Sequence, residues 1–540
     1  MLLMSFPLFG GQFQWGRDRP KGEEVVAEII HDRCDRLLKQ TNPAGGSGTE
    51  RALFNIRLER FYAARGFQPV WTKRKMIAEL VEAVEESAYD GLTPSDYQLS
   101  KIREYYTNPP ASPELEARND LFFSKAFLVL ASHLRYGKVR PESLEPGLNI
   151  NGDKSLSVLD ERLQRAIDSE AIAVVLKALR PQAANYNLLK KGLVRYQAIA
   201  GNGGWPVLAG GSTLREGDRE RRIPALRHRL KVSGDIPVQN ADTSTVYSRE
   251  MVVAVKGFQQ RNGVDVDGSV GATTLRVMNI PVERRIEQIR LNLERYRWFS
   301  GDLDSSCILV NIADYSLQYI ENGEYRWKTR VIVGQPLRET PVFKANMQYI
   351  VFNPKWVVPA TILAKDVLPG ITKDSLYLDK KKLKVMTPEG ITINPASVDW
   401  SHYSAKNLPY RLQQRSGDQG ALGRIKFMMP NRYTVYLHDT SSKELFEKSR
   451  RAFSSGCVRV QYPEELARLL LQDTILWSRA KIQDAINTGK TRTVNLPKQI
   501  PVFLLYLTVI PKGEEIQFRD DIYNHDNKLL KALNKPIPQQ

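Results

Sequence analysis

Hydrophobic positions along the chain change period near residue 305, and that change divides it into two kinds of structure. Residues 24 to 40 set Val25, Val26, Ile29, Ile30, Leu37 and Leu38 on one helical stripe before Asn42-Pro43-Ala44-Gly45-Gly46-Ser47-Gly48 breaks it. Helical spacing returns over Met76 to Glu86, Leu121 to Leu134, Leu159 to Ile167 and Tyr186 to Ile199, separated by turns such as Asp90-Gly91-Leu92-Thr93-Pro94. A glycine-rich stretch opening on Gly201-Asn202-Gly203-Gly204 reads as a linker, and a small helical module follows around Ile223, Val252 to Gln259 and Thr273 to Met278. Ile286, Ile289, Leu293 and Tyr296 then predict an amphipathic connecting helix.

Strand spacing takes over from there. Ile308 to Ile320 alternates, Asn322-Gly323 is a strong hairpin signal, and Tyr325 to Val333 returns. Tyr349 to Phe352 continues the sheet. A mixed helical and polar stretch from Pro359 to Gly420 interrupts it before strands resume at Arg424 to Met428, and long insertions of this kind are usually lids or binding loops. Pro463 to Leu471 reads as a helix, and Val502 to Val509 with Glu515 to Arg519 as a hairpin that closes the sheet.

The 540 residues suffice for about three domains. A net charge of +18 implies anionic surroundings but does not choose among nucleic acid, phospholipid and an acidic polymer. Lys and Arg are interspersed with acids, and no nucleic-acid motif accompanies them. No run of eighteen apolar residues occurs, so no membrane span is expected. Met1 to Gly10 carry an apolar patch without a preceding positive charge, which makes a poor signal peptide.

Three cysteines, Cys34, Cys307 and Cys457, exclude a disulfide framework while leaving one Cys34–Cys307 bridge open. There is no C-x-x-C or H-x-x-x-H, so a metal site is not expected; Asp265, Asp267 and Gly268 read as a turn, because the rest of a calcium loop is missing.

The chemistry concentrates at His438, in Tyr436-Leu437-His438-Asp439-Thr440, and at Cys457, 19 residues later in Ser454-Ser455-Gly456-Cys457-Val458-Arg459-Val460. Only a thiolate attacks carbonyls, and a neighbouring imidazole can take the thiol proton. Gly456 permits a tight backbone from which N–H groups near Gly456 and Cys457 can converge on an oxyanion, and Arg459 can lower the thiol pKa or hold a carboxylate. Spacing alone leaves open that both are ordinary core residues.

The stretch YLHDTSSKELFEKSRRAFSSGCVRV resembles the signature of the L,D-transpeptidases with a YkuD-type catalytic domain, especially their large Gram-negative periplasmic members. Residues 132–141 resemble the helical scaffold of those enzymes, and AVKGFQQRNGVDVDGSVGATTLRVMN resembles a peptidoglycan-binding domain. The resemblance implies a multidomain fold: an N-terminal segment (1–50), an α-helical scaffold (51–200), a linker (201–220), a small α-helical peptidoglycan-binding domain (221–282), a connecting helix (283–304), a mainly-β (α+β) catalytic domain (305–525) with a capping insertion at about 359–420, and a tail (526–540). It implies Cys457 as nucleophile and His438 as base in forming 3-3 cross-links between peptidoglycan stem peptides, with no metal or organic cofactor. Tyr436, Ser455, Arg459 and Trp356 are the substrate-site candidates. A side-chain role for Asp439 in orienting the imidazole is disfavoured, since neighbours on a strand face opposite ways. Export to the periplasm and peptidoglycan synthases as partners also follow from the resemblance. Two rivals stand beside it: an L,D-carboxypeptidase using water, and a wall-binding scaffold without catalysis.

Overall fold

A computed structural model describes residues 22–39, 48–148, 158–237, 239, 242–299, 306–473 and 475–537. The apolar patch of Met1 to Gly10 lies outside them.

Helices dominate the first half. The central one, Pro113–Tyr136, starts with Ser112 capping the Leu115 N–H and Pro113 in the first turn, and it stops at Gly137, whose φ of 92° closes the helix. It is buried nearly all round, with Ala117, Phe123, Phe127, Leu130 and Leu134 in one core with Leu58, Tyr62, Leu80 and Leu163. Asp120 on this helix accepts from the Tyr62 hydroxyl (2.5 Å) and the Val70 and Trp71 amides (2.9 and 2.8 Å), joining three segments at one buried carboxylate.

The second module has its own core of Leu226, Leu230, Met251, Val255, Phe258 and Val277. Its Asp265–Gly268 segment is a turn pinned by Gln259, whose amide donates to Asp267 (2.8 Å) and accepts from the Gly268 N–H (2.8 Å).

The connecting helix Val282–Phe299 departs from the amphipathic expectation. Every residue from Leu291 to Phe299 is buried, including Glu294, Arg295 and Arg297. The scaffold covers one side: Arg297 donates to the Asp90 carbonyl (2.7 Å) and the Tyr186 hydroxyl (2.8 Å) and pairs with Glu294 (2.5 Å), which in turn accepts from the Val139 N–H (2.7 Å). The C-terminal region covers another, through Asn292 and Arg295 on Thr508 and Arg295 on Asp526.

The strand region opens with β1 (Cys307–Asn311), β2 (Ser316–Glu321), β3 (Glu324–Gly334) and β4 (Phe343–Phe352). The alternating run from Ile308 to Ile320 is two antiparallel strands rather than one, reversed at Tyr315 with φ 52°. Asn322 and Gly323 make the next turn, both with positive φ (52° and 78°), the geometry an Asn-Gly pair favours.

An insertion then builds a separate four-stranded sheet from β5 (Trp356–Val357), β6 (Leu383–Met386), β7 (Thr392–Ile393) and β8 (Arg411–Gln414), in the order β5-β8-β6-β7. Short helices cover it, and Val358, Leu363, Val367, Leu378, Val385 and Leu412 form its small core. The main sheet resumes with β9 (Ile425–Met428), β10 (Leu437–His438), β11 (Ala452–Ser454), β12 (Val458–Val460) and β13 (Arg492–Leu505). Its order is β11-β3-β12-β10-β9-β4-β13-β1-β2, and a further β2–β3 pairing closes it on itself. Val310, Leu317, Val331, Ile350, Phe427, Leu437, Val458 and Leu504 form part of its core.

The expected closing hairpin falls differently. Val502 to Leu505 belong to β13 inside the main sheet, whereas β14 (Val509–Lys512) and β15 (Glu515–Phe518) pair only with each other. The apolar run reads as one strand because Tyr506, Leu507 and Thr508 are buried while the chain turns through them. His525–Leu533 is helical.

Candidate active site

Register brings the candidate residues onto one face of the sheet. β10 lies between β12, parallel to it, and β9, antiparallel. His438 is paired with Arg459 on one side and Lys426 on the other, and the adjoining pair, Leu437 with Val458, points the opposite way into the core. One residue further back the same register sets Tyr436 beside Cys457, with the Tyr436 carbonyl accepting from the Val458 N–H (3.1 Å). Lys426, Tyr436, His438, Cys457 and Arg459 therefore share a face. His438 and Cys457 stand diagonally across neighbouring strands, a backbone separation of about 7–8 Å, and no hydrogen bond joins their side chains.

His438 is 5% exposed, and its Nδ1 lies 2.5 Å from the backbone carbonyl of Asp439. A carbonyl only accepts, so Nδ1 carries the proton and Nε2 keeps its lone pair. The Asp439 carboxylate faces elsewhere, accepting from the Arg424 and Thr440 amides at 2.8 and 2.7 Å. Burial, with Arg459 and Lys426 adding, pushes the imidazole pKa down to about 3. Burial also raises the Cys457 thiol, against the pull of Tyr436, Lys426 and Arg459. Both groups rest neutral at pH 7, so a thiolate forms only as its proton leaves for a base.

The imidazole's low pKa sets a stability profile. The unfolded chain protonates this histidine near pH 6.5, the fold only near 3, so between those values the unfolded state holds the extra proton and stability falls with falling pH. We expect His438→Gln to remove about 3 kcal/mol of the wild-type loss between pH 7 and pH 4, measured by denaturant unfolding at both pH values. Identical pH dependence in the two proteins would refute this.

Tyr436 contacts both neighbours. Its hydroxyl lies close to the Cys457 thiol and to Trp356, and its ring lies 5.6 Å from the His438 ring. Trp356, on β5 at the root of the insertion, also packs against the insertion's core. Ser455 is exposed and accepts from Arg338 (3.1 Å), itself bidentate to Asp366 of the insertion (2.5 and 2.7 Å), so it tethers the insertion rather than facing the thiol.

Gly456 has φ 114°, a conformation side chains resist. Its N–H is occupied by Ser454 Oγ (3.1 Å), which donates to the Cys457 carbonyl (2.5 Å). The expected pair of free amides at Gly456 and Cys457 is thus not met in full: Gly456 spends its donor locally, and the Cys457 N–H is the remaining oxyanion candidate. Thr340 supports the loop from behind, donating to the Gly456 carbonyl (2.8 Å) and accepting from the Gly334 N–H (2.9 Å), while Tyr523 bonds both Gly334 and Thr340. Lys426, Ser454, Thr340 and Tyr523 were absent from the sequence candidates; only Ser454, inside the Ser-Ser-Gly-Cys run, carried a local signal.

Cys34 and Cys307 are free thiols at 1% and 0% exposure, in separate cores, so the bridge left open between them does not form. Among the described residues no cluster of three or more His, Cys, Asp or Glu could hold a metal, and no helix is long and apolar enough to cross a membrane.

Comparison with known proteins defines the class. Residues 305–486 match the L,D-transpeptidase catalytic domain (YkuD), residues 219–278 a domain described as "Putative peptidoglycan binding domain", and residues 57–193 a scaffold domain. The chain thus carries a segment matching each of these three domains, the catalytic one among them. A Haemophilus influenzae protein named "Putative L,D-transpeptidase" is 37% identical over 222 residues, covering 41% of this chain and 45% of that protein; the match spans less than half the relative's length. A crystal structure of an L,D-transpeptidase from Xylanimonas cellulosilytica aligns over 55% of this chain and 99% of its own at 14% identity with a TM-score of 0.16.

Proposed function

We propose that the protein is a cysteine-dependent L,D-transpeptidase of the periplasm that forms 3-3 cross-links in peptidoglycan. The observation that supports this most is the shared face of Cys457 and His438, with the imidazole's Nδ1 bound to a carbonyl and Nε2 left as the acceptor. The Cys457 sulfur attacks the carbonyl of the diaminopimelate residue in a donor tetrapeptide while His438 Nε2 takes the thiol proton. The tetrahedral intermediate is stabilised by the Cys457 N–H. As it collapses the carbon–nitrogen bond breaks, His438 returns the proton to the departing amine, and D-alanine leaves a thioester. The side-chain amine of a second stem then attacks the thioester, His438 takes its proton, and the thiol is released. The peptidoglycan-binding domain holds the enzyme on its polymeric substrate, and peptidoglycan synthases are the candidate partners.

Purified enzyme incubated with tetrapeptide muropeptides is expected to yield 3-3 linked dimers and free D-alanine, resolved by chromatography and mass spectrometry. Tripeptide in place of dimers, with acceptor stems present, would identify water as the acceptor and the protein as an L,D-carboxypeptidase. Absence of both products, with sacculi still bound, would reduce it to a wall-binding scaffold.

A further inference from the structure

Two cations border the thiol without an anion in ion-pair contact; Glu444 acts on Arg459 from further off. Lys426 is half-buried on β9, directly across from His438, and its ammonium lies 3.8 Å from the centre of the Tyr436 ring. The Tyr436 hydroxyl lies close to the Cys457 thiol, so the ammonium and the reacting sulfur border the same ring. Burial lowers the Lys426 pKa, and Cys457 opposes that shift. On the far side, Arg459 has its Nε buried without a hydrogen-bond partner. Among the described residues no carboxylate lies within salt-bridge distance of either side chain.

An unpaired, partly desolvated ammonium is costly unless something pairs with it. The resting thiol and imidazole are neutral and supply no countercharge. Elsewhere in the protein buried lysine and arginine do find acids, as in Lys138 with Asp96 and Arg261 with Asp235. Arg229 and Arg285, buried without an acid at hand, spend donors on the Met278 carbonyl and on Gln288 and Asn262, whereas Lys426 and Arg459 stand where a substrate is expected to arrive.

We propose that Lys426, assisted by Arg459, binds a carboxylate of the donor peptide: the terminal carboxylate of the residue being expelled, three bonds from the carbonyl carbon that Cys457 attacks. This rests on the acyl-transfer reading above and deepens it. The site then selects the end of a peptide, because an amide carrying a further residue lacks the charge that Lys426 pairs with. Departure of the free amino acid carries that anion away and restores the unpaired cation, which favours release of the first product before an acceptor enters.

The test compares three donors with wild-type, Lys426→Gln and Lys426→Arg enzymes: a tetrapeptide with a free terminus, the same peptide with a terminal carboxamide, and one amidated on the diaminopimelate side-chain carboxylate. Wild type is expected to favour the free terminus over the terminal amide by about 10- to 100-fold in kcat/KM, the range for one charged hydrogen bond. Lys426→Gln should lose most of that preference and Lys426→Arg keep it, while diaminopimelate amidation affects all three enzymes alike. Preference retained in Lys426→Gln would overturn the proposal, as would an equal fall for every donor or a preference that moves to the diaminopimelate amide. Alkylation of Cys457 by neutral iodoacetamide across pH 6 to 10 should move to higher pH in Lys426→Gln, because the ammonium's pull on the thiol is lost, and stay near wild type in Lys426→Arg; a fall in turnover that is the same for every donor and matches the loss of alkylation at the assay pH would assign Lys426 to the thiol instead. Wild type that alkylates normally but turns over none of the donors would overturn the acyl-transfer reading, and this inference with it.

Discussion

Cys457→Ala is expected to abolish peptide turnover, a fall in kcat on the order of 10⁴ or more, because no other group near the site can form the acyl intermediate. The cleaner readout is covalent. A carbapenem presents an activated acyl group, so intact-mass spectrometry should show one adduct on the wild-type protein and none on Cys457→Ala. Cys34 and Cys307 make this discriminating: both are sealed in cores, and burial with nearby acids pushes the Cys34 thiol up to about 12. They are poor competitors for an electrophile. An adduct of equal yield on Cys457→Ala, or one mapped to either buried thiol, would sink the assignment of the nucleophile.

Arg297→Met should destabilise the protein by about 3–5 kcal/mol, the cost of leaving a buried charge without its partner. Arg297 is 1% exposed and bonds Glu294, Tyr186 and Asp90, and Asp90 also takes Arg180 (2.7 Å) and Lys190 (3.0 Å). Truncation strands Glu294 in the junction between scaffold and connecting helix. Urea unfolding measures the loss, and a second change, Glu294→Gln, should recover part of it by removing the stranded charge. A shift below about 0.5 kcal/mol in the single variant would show that the network adds nothing to docking of the scaffold on the helix.

Local rules carried much of the architecture. Helical spacing located the scaffold helices and the small second module, because one apolar stripe must be buried whatever covers it. The Asn-Gly turn fell where its backbone preference requires, and the chain's change of period marked the start of the strands. Errors arose where an apolar run hides a change of direction: Ile308 to Ile320 and Val502 to Val509 each contain a turn whose buried residues look like strand. The insertion's sheet was missed because β5 and β7 are two residues long, too short to show a period.

The sequence by itself determined the domain content, the helical and strand halves, and the two residue types that make acyl transfer conceivable. His438 and Cys457 could be nominated because imidazole and thiol are rare in this chain and chemically complementary. Their common face, the carbonyl that sets the imidazole's tautomer, the occupied Gly456 amide and the unpaired Lys426 belong to tertiary structure alone. Each depends on register between strands distant in sequence or on what covers a side chain, and neither pairing partners nor burial is written in local composition. The same holds for Arg297: on a helix read in isolation it marks a solvated face, and only the scaffold and the C-terminal region closing over it turn that charge into a buried tie.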